Sequence, residues 1–175
     1  CISHVLKNRL RRFTAKPITI VPQGFLTPQK LSLGGFDELK IVENLKKPRI
    51  GFCGSINERL DEHILTPLIQ SNPQWHFIFL GPIDHEPHVI KKDMESIILR
   101  LQSFANVTFI SRLSRDKAYR IINEFDIAMI PYDISIDFNR YCYPMKLFEY
   151  FYMGKPVIAT PIVELRRFPN YVKIG

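Results

Sequence analysis

From Lys46-Lys47-Pro48 onward the chain alternates short apolar runs with stretches of helical spacing. Arg49-Ile-Gly-Phe-Cys53 reads as a buried strand ending at Gly54, and Ser55-Ile-Asn-Glu58 has the capping-box form that opens a helix. Leu60, Ile64, Leu65, Leu68 and Ile69 keep the helical period, with Pro67 expected to bend or restart it. Further strands are predicted at His76–Leu80, Asn106–Ile110, Asp126–Ile130 and Pro156–Thr160. Helices are predicted at Val89–Phe104, at Ser114–Phe125 with Ala118, Ile121, Ile122 and Phe125 inward, and at Pro144–Met153, stopped by Gly154. Upstream the pattern is weaker. Cys1–Lys16 reads as a basic amphipathic helix with Val5, Leu6, Leu10 and Phe13 on one side, Pro17–Pro22 as a short strand, and the aperiodic stretch from Gly24 to Asn44, with Pro28, Gly34 and Gly35, as a linker.

Apolar strands separated by helices define an α/β fold, a doubly wound parallel sheet of Rossmann-like form covered on both faces. Such sheets bind ligands outside the carboxyl ends of their strands, which points to the loops after Cys53, Leu80, Ile130 and Thr160.

Composition narrows the classes. With 175 residues, 46% hydrophobic and 23% charged, the chain is neither a disordered polymer nor, lacking an apolar run of roughly 20 residues, a membrane span. The start at Cys1, without Met or a signal region, suggests an excerpt of a longer protein. Cys1, Cys53 and Cys142 offer neither a disulfide framework nor a zinc spacing, and a reduced cytoplasmic setting fits them. The net charge of +7 favours an anionic partner: nucleotide, phosphorylated substrate, nucleic acid or acidic lipid. Lys7, Arg9, Arg11 and Arg12 fit either a solvated surface helix or attraction to an anionic membrane.

The densest candidate chemistry lies in Tyr143-Pro-Met-Lys-Leu-Phe-Glu-Tyr150. Pro144 suits the first helical position, which would leave backbone N–H groups and a positive dipole end near Met145 and Lys146. An ammonium there is unfavourable unless an anion joins it, and a phosphate would do so. Glu149, three residues on, can accept hydrogen bonds from two ribose hydroxyls; the alternative is a plain Lys146–Glu149 surface pair. The Gly54-Ser55 turn lets backbone approach a phosphate, and Arg59 follows as a further cation or as an ordinary surface arginine. There is no GxGxxG, no GxxxxGK[ST], no GxSxG and no HExxH. His63, His76, His85 and His88 lack a metal spacing, and Asp84, Asp133 and Asp137 are loop carboxylates without an evident partner. Trp75 and the scattered aromatics fit a core rather than a nucleic-acid stacking platform, so no nucleic-acid partner is expected.

The series Gly54, Asn72-Pro-Gln-Trp-His-Phe-Ile-Phe-Leu-Gly-Pro82, Asn106-Val-Thr-Phe109, Asp126-Ile-Ala-Met-Ile-Pro-Tyr132 and Tyr143–Tyr150 with Gly154-Lys-Pro-Val-Ile-Ala-Thr160 resembles the C-terminal, nucleotide-sugar donor domain of GT-B-fold glycosyltransferases, group 1 and family-four-like. The resemblance implies one half of a two-domain enzyme. Residues 1–24 would be the end of the acceptor domain and the hinge, 25–47 a linker, and 48–175 a donor-binding domain truncated at its C-terminus. It implies that Glu149 holds the donor ribose, that Gly54, Ser55, Pro144 and Met145 border the diphosphate, and that Lys146 and Arg59 neutralise the leaving nucleotide. Two features depart from the family pattern. The first acid of Glu-x7-Glu is replaced by Tyr141, and Ser55 stands where a basic residue often follows the glycine.

The implied activity is transfer of a sugar from a UDP- or GDP-sugar to a glycan or lipid-linked saccharide, with no cofactor and no metal required since no Asp-x-Asp is present. The implied location is cytoplasmic, with a peripheral contact at the inner membrane face, and this chain alone would bind nucleotide without turning over. Competing readings are a nucleotide-sugar epimerase of similar fold and a non-catalytic nucleotide-binding module.

Overall fold

The computed structural model describes residues 1–25, 27, 34–84 and 94–175. Within them, helix α1 (His4–Leu10) and α2 (Asp37–Glu43) precede the alternating unit. That unit runs β1 (Arg49–Cys53), α3 (Glu62–Ser71), β2 (His76–Leu80), α4 (Met94–Gln102), β3 (Val107–Ile110), α5 (Arg115–Asn123) and β4 (Ile127–Ile130). It continues through α6 (Asp137–Arg140), α7 (Lys146–Tyr152), β5 (Val157–Ala159), a 3-10 turn at Val163–Arg167 and β6 (Val172–Ile174). His85, His88, Pro28 and the expected helix start at Val89 lie outside the described residues.

The six strands pair in parallel in the order β3-β2-β1-β4-β5-β6. Chain direction across the sheet reverses between β1 and β4, so the crevice beyond Cys53 and Ile130 is the topological switch point, where open α/β sheets take their ligands. Phe52, Phe77, Ile78, Phe79, Met129 and Ile130 are buried, as strands covered on both faces must be. α3 packs with α4, while α2 packs on α5, which lies against β1.

Local chemistry shifts several expected boundaries. The helix expected from Ser55 begins at Glu62, because the Asp61 carboxylate accepts the N–H groups of His63 (3.1 Å) and Ile64 (3.3 Å). Residues 54–60 instead cross the top of the sheet, bridging Ile56 to Ile83 and Leu60 to Tyr132. Pro67 neither stops nor restarts α3. Pro17–Pro22 forms no strand; it runs beside the chain start, with Val21 N–H on the Cys1 carbonyl and the Cys1 amino group on the Thr19 carbonyl. The stretch read as a linker contains α2, whose Leu39 and Val42 are buried. Leu10 and Phe13, expected with Val5 and Leu6 on an apolar side, are exposed. The short α6, the 3-10 turn and β6 had no counterpart in the pattern.

Asn106 explains one of the sequence motifs. Its amide donates to the carbonyls of Asn72 and Trp75, both at 3.1 Å, and so fastens the α3–β2 turn to the start of β3. A second fastening is the buried Arg49, which pairs with Glu124 at 2.8 Å and donates to the Glu43 and Leu45 carbonyls.

Candidate functional site

A cleft of about 720 Å³ opens at the switch point, lined by the β1 loop, the loop after β4 through α6, the start of α7 and one side of α1. Its size is that of an ordinary small-molecule site. Gly54, Ser55, Arg59, Pro144, Met145, Lys146 and Glu149 all line it, so every candidate binding residue of the sequence reading comes to one place.

Gly54 has φ +144°, a conformation that favours glycine. Its missing side chain matters more. A Cβ there would stand 2.9 Å from Lys146 Nζ, so the lysine tip occupies the hollow over the glycine. Gly81, at φ +146°, lies directly behind, where a Cβ would collide with the Gly54 carbonyl.

Lys146 Nζ donates to the Tyr132 hydroxyl and lies 4.3 Å from the Phe52 ring centroid and 4.5 Å from that of Tyr132. Arg59 also rests on Tyr132, with Cζ 4.1 Å from the ring centroid, and 4.8 Å from that of Phe138. Arg59 Nε donates to Asn139 Oδ1 at 2.7 Å. Asn139, fully buried, returns its amide to the carbonyls of Arg59 (3.1 Å) and Asp133 (2.9 Å), which locks the arginine loop to the loop after β4.

Glu149 lies between this cleft and a second of about 570 Å³, lined by Arg112, Ser114, Arg115 and Tyr119 among others. Burial raises its pKa above the usual carboxylate value, against the pull of Lys146 and Arg115. Among the described residues it has no ion-pair partner within 4 Å, so the simple Lys146–Glu149 surface pair is not what forms. Cys53 lines both clefts with its thiol pushed up to about 12, chiefly by burial, and is a neutral wall group at physiological pH.

The helix start differs in detail from the one expected. α7 begins at Lys146, two residues after Pro144, and the N–H groups of Leu147 and Phe148 are spent on the carbonyls of Pro144 (3.2 Å) and Met145 (3.0 Å). Lys146 and Arg59 bring side-chain positive charge to the cleft, as does Arg9 on its rim. Ser55 does not open a helix; its hydroxyl donates to Asp84 at 3.1 Å.

The other loop carboxylates also have partners. Asp133 accepts from Ser135, and Asp137 pairs with Arg9 of α1 at 3.4 Å. Arg9 also covers the Tyr141 ring at 4.1 Å, so the position lacking the family acid carries an aromatic–arginine stack. His76 Nε2 meets Thr108 Oγ1 at 2.8 Å, and burial lowers its pKa; His63 is exposed on α3. Sequence reasoning gave no role to Tyr132 or Asn139, and none in the cleft to Arg9. Nothing in their local spacing marks them, because each gains its meaning from a partner at least 14 residues away.

A six-stranded parallel sheet with such a crevice at its switch point defines a Rossmann-like α/β domain, the class to which each half of the GT-B fold belongs. The family model "Glycosyl transferases group 1" matches residues 47–171, and the chain belongs to that family. It is 30% identical over 111 residues to TuaH of Bacillus subtilis (strain 168), a protein named for teichuronic acid biosynthesis glycosyltransferase activity, covering 63% of this chain and 26% of TuaH. The sucrose-phosphate synthase of Thermosynechococcus elongatus superposes with a TM-score of 0.73 at 19% identity, over 99% of this chain and 43% of the synthase. HepE of Anabaena, solved in complex with UDP-glucose, gives 0.53 at 20% identity over 74% of this chain and 34% of HepE. The chain thus spans less than half the length of these proteins. Among the described residues no helix is long and apolar enough to cross a membrane.

Proposed function

We propose that this chain is the donor half of a glycosyltransferase that moves a sugar from a nucleoside diphosphate sugar to a glycan or lipid-linked saccharide. The observation that carries the reading is the Lys146 ammonium seated over Gly54 at the switch point, with Arg59 beside it and the Glu149 carboxylate at the junction of two clefts. In this reading the nucleoside enters the smaller cleft, its ribose hydroxyls donate to Glu149, and the diphosphate meets Lys146, Arg59 and the Gly54 backbone. The sugar then extends toward Tyr141 and Tyr143.

During transfer the bond from the sugar anomeric carbon to the diphosphate oxygen breaks, and the acceptor hydroxyl oxygen bonds to that carbon and gives up its proton, which the released diphosphate or water takes up. Negative charge grows on the departing diphosphate. Fixed cations in a cleft partly screened from water stabilise that charge more than they stabilise the bound donor, which lowers the barrier. Lys146 and Arg59 have that role here, and Glu149 positions the nucleotide. The missing half would carry the acceptor and complete the reacting geometry.

HepE, with its bound UDP-glucose, makes UDP-sugars the first donors to try, with GDP-sugars next. The reading includes a cytoplasmic location with peripheral contact to an anionic membrane face, supported by exposed Leu10 and Phe13 among Lys7, Arg11 and Arg12. Loss of co-sedimentation with phosphatidylglycerol vesicles in Phe13→Asp checks that contact.

A thermal-shift panel of UDP, GDP and ADP on the chain tests the site, because a ligand bound to the native state raises its melting temperature. Stabilisation by a nucleoside diphosphate that disappears in Lys146→Ala and in Glu149→Ala is expected. Unchanged shifts in both variants would reject the assignment. Release of free nucleotide by the longer protein separates a transferase from a binding module.

A further inference from the structure

We infer that Tyr132 is a positioning residue that fixes Lys146 and Arg59 as a pair before the diphosphate arrives, an inference that rests on the nucleotide-sugar reading of the cleft. Both cations lie within 4.5 Å of the centroid of this one ring. Like charges so close, inside a Debye length, repel one another. The electron-rich ring face attracts each of them, and the Tyr132 hydroxyl additionally accepts from Lys146 Nζ.

The ring can do this because it is itself immobile. Tyr132 is 4% exposed, its backbone bridges Leu60, and its carbonyl accepts the Thr160 hydroxyl at 2.7 Å. Phe52 meets it edge to face, with centroids 6.3 Å apart, and closes the other side of the Lys146 tip. A lysine on a four-carbon stem ordinarily loses rotamer freedom when it grips a phosphate. Here that ordering is completed when the protein folds, so less is lost on binding. Arg59 has Phe138 and Asn139 as further holds, whereas Lys146 depends on Tyr132 and Phe52. Lys146 is therefore the more sensitive partner.

Calorimetric titration with inorganic pyrophosphate tests the inference on the full chain, comparing wild type, Tyr132→Phe, Tyr132→Leu, Lys146→Met and the Tyr132→Phe/Lys146→Met double variant. Tyr132→Phe keeps the ring and loses the hydroxyl, and a roughly three- to tenfold weaker affinity is expected, the scale of one hydrogen bond to a charged group. That loss should vanish in the Lys146→Met background, since the hydroxyl acts through the lysine. Tyr132→Leu should weaken binding further; if it does not fold, the Tyr132→Phe cycle decides. Wild-type affinity in Tyr132→Phe, or a loss that persists undiminished without Lys146, overturns the inference while leaving the diphosphate site intact. Wild type that ignores pyrophosphate, or Lys146→Met that binds it unchanged, overturns the site and the inference together.

Discussion

The Tyr150 hydroxyl accepts the backbone N–H of Cys53 at 2.9 Å, tying α7 to the last residue of β1. The same oxygen lies 3.4 Å from the Met129 carbonyl of β4, so one fully buried phenol spans the switch point and burial holds it neutral. Lys146 and Glu149 stand on the helix it anchors, which is how a seven-residue helix can present two charged groups to a cleft in fixed register. Tyr150→Phe should lower stability by about 1–3 kcal/mol, because a buried N–H loses its acceptor. Chemical denaturation measures that loss, and nucleoside diphosphate affinity should fall with it; an unchanged midpoint would mean that the Cys53 amide has another acceptor.

Burial makes Glu149 expensive to ionise, and the sign of its pH effect follows. With its pKa above the usual 4.5 in the folded chain, the native state holds a proton that the unfolded state has lost over the window between the two values. Stability contributed by this group is therefore present below 4.5 and declines as pH rises through the folded value. Glu149→Gln should melt higher than wild type at pH 7, with the advantage shrinking as pH falls through the folded value and gone below 4.5. An advantage constant across pH would assign the effect to something other than ionisation.

Gly54→Ala combines a strained φ with a methyl at the Lys146 tip. It should cost about 1–3 kcal/mol of stability and displace the ammonium. Gly81→Ala, facing the Gly54 carbonyl rather than a flexible side chain, should be at least as destabilising. Melting curves and nucleotide titrations of the two variants distinguish strain from lost binding.

Glu164, wholly buried, accepts the Val5 N–H at 3.3 Å and pairs with Arg167 at 2.7 Å, and so docks α1 beside the cleft. Glu164→Ala should reduce stability by about 1–3 kcal/mol, since a buried charged acceptor is removed from two donors. Hydrogen exchange at the α1 amides should speed up selectively. Equal exchange rates would show that Arg9 with Asp137 and Tyr141 suffices to hold the helix.

Strands were the most legible part of the chain. Five apolar runs from Arg49 to Thr160 each became a strand at the expected place, since strands covered on both faces, as β1, β2 and β4 are, must be largely hydrophobic, and even the half-buried edge strand β3 keeps Val107, Phe109 and Ile110. Helix starts were less legible. Ser55 and Asp61 both precede helical spacing, and the choice between them was made by Ile56 and Leu60 bridging to neighbouring loops, which no capping pattern encodes. Likewise β6 is three residues long and α6 four, too short for a period to register.

For the site, the sequence by itself determined the pieces: a glycine after the first strand, Lys146 and Glu149 one turn apart, and the motifs of a glycosyltransferase family. The tertiary structure decided how those pieces act. It set Lys146 into the Gly54 hollow and onto Tyr132, gave Arg59 the same ring and a buried Asn139, and placed Glu149 at the junction of two clefts. The physical reason is range. Periodicity and capping report on neighbours within a helical turn, whereas a charged group's partners and burial depend on residues that only the packed sheet brings together.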